Sequence, residues 1–162
     1  MAEQSERKDQ LRDRLQRGRE TLLAAVQILS ETDLAKPVGH ESHWTAKDLI
    51  GHIAYAEGSM LPLIERALTG DSAPPSADFD LDRWNDSRVR RAREQSVADL
   101  LARLTASRQD ALALLDRLSE ADLDRPATHP TVGATTVAGI FRIIAAHERD
   151  HARELRAIHD EA

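Results

Sequence analysis

Seven histidines and no cysteine set what this sequence can do at a metal ion: any ligands it offers are imidazole nitrogens and carboxylate oxygens. Two of the histidines stand four residues apart in Ala145-Ala146-His147-Glu148-Arg149-Asp150-His151. In a helix that spacing places both rings on one face, one turn apart, where they can grip a single ion. Ile140, Ile144, His147, His151, Leu155 and Ile158 share one stripe, so both histidines read as core positions. A buried imidazole without partners costs roughly 1–3 kcal/mol, so something must satisfy the rings. Thr45, Leu49, His52, Ala56, Met60 and Leu63 repeat the same rhythm and give a third core histidine, His52. Three imidazoles suit zinc or nickel, or iron or manganese with added water, and leave positions open for a substrate.

These residues need helices to hold them. A stripe of Leu11, Leu15, Leu22, Val26 and Leu29 predicts a first amphipathic helix over 5–29, ended by Pro37 and Gly39. Thr45-Ala46-Lys47-Asp48 is a capping box that opens the second long helix; Pro62 is expected to kink it or end its regular part, and Gly70 to stop it. The loop from Gly70 to Asp78 is long enough to cross the molecule. A short helix over 81–93 follows, and its run Arg88, Arg90, Arg91, Arg93 reads as a solvated face. Ser96-Val97-Ala98-Asp99 caps a third long helix, and the helix carrying His147 is the fourth.

The string Leu29-Ser-Glu-Thr-Asp-Leu-Ala-Lys-Pro37 is nearly copied in Leu118-Ser-Glu-Ala-Asp-Leu-Asp-Arg-Pro126, and a Thr-led helix follows each copy. The chain therefore reads as a single all-α domain over 1–162: an up-and-down four-helix bundle built as a duplicated helix pair, with one extra short helix. In that topology the second and fourth long helices run parallel. His52 and His147 then lie about 10 and 16 Å along them at about 1.5 Å per residue, and a modest stagger brings the three rings level.

The formal charge of -6 argues against a nucleic-acid partner, because phosphate binding is driven by an excess of Lys and Arg. The polar beginning and the absence of any apolar run of spanning length point to a cytoplasmic protein with no membrane segment. His129 and His159 fall outside the stripe pattern and are expected at the surface. His40 and His43 lie in the loop before Trp44, and Trp44 and Trp84 read as packing anchors.

Trp44-Thr45-Ala46-Lys47-Asp48-Leu49-Ile50-Gly51-His52, followed at a distance by His147-x-x-x-His151, resembles the DinB/YfiT-like superfamily. The resemblance extends over nearly the whole chain, including the two Leu-Ser-Glu-x-Asp-Leu segments and the Trp84-Asn85 helix. It implies a four-helix bundle with a divalent metal on His52, His147 and His151. It also implies thiol S-transferase or isomerase chemistry with an external low-molecular-weight thiol such as mycothiol, a small-molecule substrate, and often a homodimer. Two other readings compete. In one the bundle is a metal-free scaffold or stress-response partner. In the other His147-Glu148-Arg149-Asp150-His151 is an H-E-x-x-H zinc-protease helix with Glu148 as general base. That motif lacks its extended company, since Glu154 and Ala157 stand where a metzincin has glycine and a third histidine.

Overall fold

The computed structural model describes residues 2–39 and 43–160. The chain forms the all-α four-helix bundle that its patterning implies, with a single two-stranded hairpin among the described residues. The long helices are α1 (Ala2–Gln27), α3 (Ala46–Leu68), α5 (Val97–Arg117) and α7 (Val137–Asp160). Between them lie the one-turn helices α2 (Glu31–Leu34) and α6 (Glu120–Leu123), the helix α4 (Leu81–Arg93), and strands β1 (Pro126–His129) and β2 (Gly133–Thr136).

Capping fixes most of the boundaries. Thr45 and Ser96 each accept a bond from the backbone three residues on and receive the reciprocal carboxylate, Asp48 or Asp99, in a capping box. Helix α3 passes through Pro62 without ending, so of the two expected outcomes there, a kink or an end to the regular part, the second does not occur. Gly70 stops it, as its place in the sequence implies, at φ 85°, where its own N–H and that of Asp71 turn back to the carbonyls of Ala67 and Arg66.

The connectivity departs from a plain up-and-down order. The start of α5 lies at the start of α3, where Arg93 binds Asp48 and Gln95 donates to Tyr55, and Glu57 further along α3 meets Arg108 further along α5. These two helices are therefore parallel. Helix α1 runs against α5, as the Lys8–Leu118, Arg12–Asp116 and Arg19–Leu104 contacts show. Thr128 of β1 bonds Ser72, just beyond the end of α3, so α7, which β2 leads into, starts there and runs back antiparallel to α3. The order is up, down, down, up. The physical cause is α4: it carries the chain back along α3, close enough that a Cβ on Gly51 would fall 2.5 Å from that of Ala92. The parallel pairing of the second and fourth long helices expected from the sequence is thus replaced by an antiparallel one.

The two copied segments fold alike. Ser30 with Asp33 and Ser119 with Asp122 form capping boxes; Lys36 binds Asp33 and Arg125 binds Asp122. Pro37 then pairs with Thr45 and Pro126 with Thr136, each just before the next long helix. Two apolar clusters fill the bundle, one around Leu15, Ile64, Leu115 and Phe141, the other around Leu22, Ile50, Leu100 and Leu155.

Candidate metal centre

Antiparallel packing of α3 on α7 brings His52 level with His147 and His151. The Nε2 atom of His147 lies 3.0 Å from Nε2 of His52 and 3.1 Å from Nε2 of His151. A neutral ring nitrogen carries one hydrogen or one lone pair, so His147 Nε2 can only share a single hydrogen or lone pair between two neighbours, a poorer arrangement than three lone pairs on one cation. The donor set therefore fits a divalent ion bound by three neutral imidazoles. Burial, and secondarily the neighbouring His151, lowers His52 from 6.5 to about 4; burial first and the other histidines second lower His147 to about 2. Both rings are thereby held in the unprotonated form that a metal requires.

The three histidines are half-buried rather than fully so. The most buried line of α7 runs through Ile144, Ala145, Glu148, Ala152 and Leu155, and His147 and His151 lie on its flank, at the margin of the core. Neighbouring groups orient the rings. His151 Nδ1 lies 3.0 Å from Glu154 Oε1, an outer carboxylate partner that fixes the ring so that Nε2 faces inward. The Trp44 ring lies 5.1 Å from that of His52, and its Nε1–H donates to Asp86. Trp44 is thus an anchor of the site as well as of the fold.

Glu148 is 2% exposed, and its oxygens accept bonds from Arg19 Nε and Nη2 and from Arg108 Nη2 at 2.7–3.1 Å. Committed to two guanidinium groups, it is not placed to act as the general base of an H-E-x-x-H helix. Glu57 closes the quartet, accepting from Arg19, Arg108 and Ser107. The remaining arm of each arginine donates to a backbone carbonyl, Arg19 to Leu104 and Arg108 to Leu15. Sequence patterning passed over this buried quartet because charged residues were assigned to the solvent faces. The duplication could have revealed it, since aligning the copied Leu-Ser-Glu segments superposes Arg19 on Arg108, and aligning the Thr-led helices at Thr45 and Thr136 superposes Glu57 on Glu148.

The other histidines divide. His43 is exposed, 3.4 Å from Asp86, and His159 lies at the surface 3.4 Å from Asp33; His40 falls outside the described residues. His129, expected at the surface, is half-buried and lines a cavity of about 390 Å³ that reaches His147. Trp84, read as a packing anchor, also lines it, while Arg88 packs over the Trp84 ring from 4.8 Å. A larger cavity of about 650 Å³ between α3 and α5 borders none of the three clustered histidines. Arg93 is partly withdrawn from the solvated basic run by its two bonds to Asp48. No described helix is long and apolar enough to cross a membrane.

Comparison with known proteins agrees with this geometry. An Oceanobacillus iheyensis protein described as a proposed metal-dependent hydrolase is 27% identical over 131 residues, covering 81% of this chain and 73% of its own. YfiT of Bacillus subtilis, described as a proposed metal-dependent hydrolase with an unusual four-helix bundle topology, superposes with a TM-score of 0.76 at 21% identity, over 95% of this chain and 86% of its own. The colibactin self-resistance protein ClbS, solved with double-stranded DNA, has a TM-score of 0.73 at 17% identity over 94% and 95% of the two chains. The mycothiol-dependent maleylpyruvate isomerase has a TM-score of 0.68 at 16% identity, over 90% of this chain and 60% of its own. The profile of the DinB superfamily matches residues 14–155, most of the bundle and all three clustered histidines, and the chain belongs to that superfamily.

Proposed function

We propose that the protein is a metal-dependent enzyme acting on a small molecule, with His52, His147 and His151 as the protein ligands of one divalent cation. The convergence of three Nε2 atoms carries this reading. A bound cation there supplies Lewis acidity to a substrate atom in an open coordination position. The protein's own part is to hold three neutral imidazoles, to orient His151 through Glu154, and to keep the cation beside a half-buried cavity. With no cysteine in the chain and Glu148 engaged by arginines, we assign the nucleophile to an external molecule. A low-molecular-weight thiol sulfur, as in S-transfer or isomerisation, is the reading favoured by the family resemblance. Zinc and nickel are the first choices for three nitrogen donors, ahead of iron and manganese. A small-molecule partner is preferred to nucleic acid because the net charge is -6.

Elemental analysis of protein purified without a histidine tag tests the proposal, with each of the three histidines replaced by Ala in turn. Near-stoichiometric metal is expected in the parent and its loss in every variant. Full occupancy in His52→Ala would sink the three-ligand site, and a metal-free parent after incubation with zinc and nickel would favour the scaffold reading. Thiol consumption by the loaded protein, measured against electrophilic acceptors, then separates transfer from hydrolysis.

A further inference from the structure

The cavity beside His147 has an apolar wall, made by Met60, Leu63, Phe79 and Trp84, and polar side chains at Ser59, Ser76, Asn85 and His129. His129 ends β1, and the turn to β2 folds over it so that its Nδ1 accepts the backbone N–H of Thr131 at 3.2 Å and of Val132 at 3.3 Å. A nitrogen that accepts cannot carry the proton, so these two bonds fix the neutral tautomer with hydrogen on Nε2. Among the described residues Nε2 has no hydrogen-bond partner. The ring thus presents one neutral donor at a cavity whose volume, about 390 Å³, lies at the small end of ligand sites.

Charge narrows the ligand further. Arg66 also borders the cavity, but its guanidinium is held by both oxygens of Asp71 and by the carbonyl of Ala73. Its charge is matched, and a carboxylate or phosphate entering here would lose water without gaining a free cation from that wall. A neutral ligand bears no such cost. We infer that this cavity binds an uncharged, mainly apolar small molecule carrying a hydrogen-bond acceptor, such as a carbonyl oxygen, which receives the Nε2–H of His129. His129 is then a specificity-determining residue for the substrate side of the proposed metal centre. The inference takes its orientation from that reading, although binding itself does not require the metal.

Three probes of similar shape test it, titrated by protein NMR into metal-free and metal-loaded protein: acetophenone, ethylbenzene and benzoate. In the metal-free protein acetophenone is expected to bind about three- to tenfold more tightly than ethylbenzene, the effect of one neutral hydrogen bond, and benzoate more weakly than either. In His129→Phe the acetophenone advantage is expected to vanish, whereas His129→Gln, which keeps a donor near the Nε2 position, retains part of it. Melting curves establish that both variants fold. Benzoate binding to the metal-free protein as tightly as acetophenone, an advantage that survives in His129→Phe, or no acetophenone binding up to its solubility would each overturn the inference. Because the metal-free protein is measured separately, discrimination by His129 in a chain that never takes up metal would defeat the metal-centre reading while supporting this one. Stoichiometric metal with no probe binding would do the reverse.

Discussion

Glu148→Gln offers the most exacting test of how the bundle is held together. The substitution keeps shape and volume but removes one of two negative charges from a quartet in which both carboxylates are 2% exposed and both arginines 8% exposed. Two guanidinium charges then face one carboxylate, Glu57, with no route to solvent for the surplus. An opposite-charge contact at about 4 Å is worth about 4 kcal/mol at an effective dielectric near 20, and breaking a buried pair from one side costs about 3–5 kcal/mol. For a chain of this length each kcal/mol moves the melting temperature by about 2–4 °C, which gives a drop of about 6–20 °C. Thermal denaturation of metal-free protein at neutral pH, followed by circular dichroism, measures it, and the structural symmetry requires Glu57→Gln to fall in the same range. Replacing all four residues by apolar ones of similar volume should restore much of the loss, because a buried ionic cluster contributes little relative to a well-packed apolar core. A drop below about 3 °C for Glu148→Gln would refute the claim that the quartet is tightly coupled and dry.

Four further outcomes are expected. Glu154→Gln should leave the fold intact and weaken metal affinity about 10- to 100-fold, read by competition with a chromogenic chelator, because it removes the carboxylate that orients His151. Acid should destabilise the protein as pH falls from about 4 towards 2. The Ser119 bonds first, and Arg125 after them, pull Asp122 from 3.8 to about 2, while Asp33 and Asp48 are also lowered, so the unfolded chain takes up protons that the native carboxylates resist. Melting temperatures that stay flat over that window would contradict it. Gly51→Val should separate α4 from α3 and cost stability, since any Cβ there meets Ala92 at 2.5 Å; a variant as stable as the parent would show that the contact yields easily. Finally, the homodimer that the family resemblance implies should give twice the 18.0 kDa of one chain by light scattering at micromolar concentration, and a mass of one chain throughout would reject it.

Much of the fold was legible because its punctuation is local. Thr45 with Asp48 and Ser96 with Asp99 announce helix starts through side chains within one turn, and the structure uses both. The short helix was legible over its full extent, Leu81–Arg93. Connectivity was not, because helix direction depends on whether α4 merely decorates the bundle or returns the chain along α3, and periodicity carries no record of that choice. Helix α3 runs on past Pro62 because the proline penalty is local, while Ile64 and Ala67 beyond it are buried in the bundle, and that packing outweighs it. The four-residue spacing of His147 and His151, the matching stripe around His52 and the family resemblance together picked out the three rings that the structure brings into contact. His129 escaped because its place at the cavity is made by a hairpin turn, and no helical register marks it.

The duplication explains both why the core is symmetric and why the metal site is not. With Thr45 matched to Thr136 and Glu57 to Glu148, the counterpart of His52 is Ile143, that of His147 is Ala56, and that of His151 is Met60. The histidines are therefore not copies of one another, although each follows a copied turn and a Thr-led helix. What the two halves share is the quartet: Arg19 donates to the Leu104 carbonyl as Arg108 donates to that of Leu15, and each carboxylate binds both arginines. A quartet centred between the two apolar clusters fixes the axial register of all four long helices at once. Because Glu148 directly follows His147, that same register sets the height of His147 against His52 across the α3–α7 contact. The symmetric ionic centre thus positions an asymmetric set of imidazoles on its flank, and the site was free to arise on one side only, where Ile143, Ala56 and Met60 remain apolar opposite numbers.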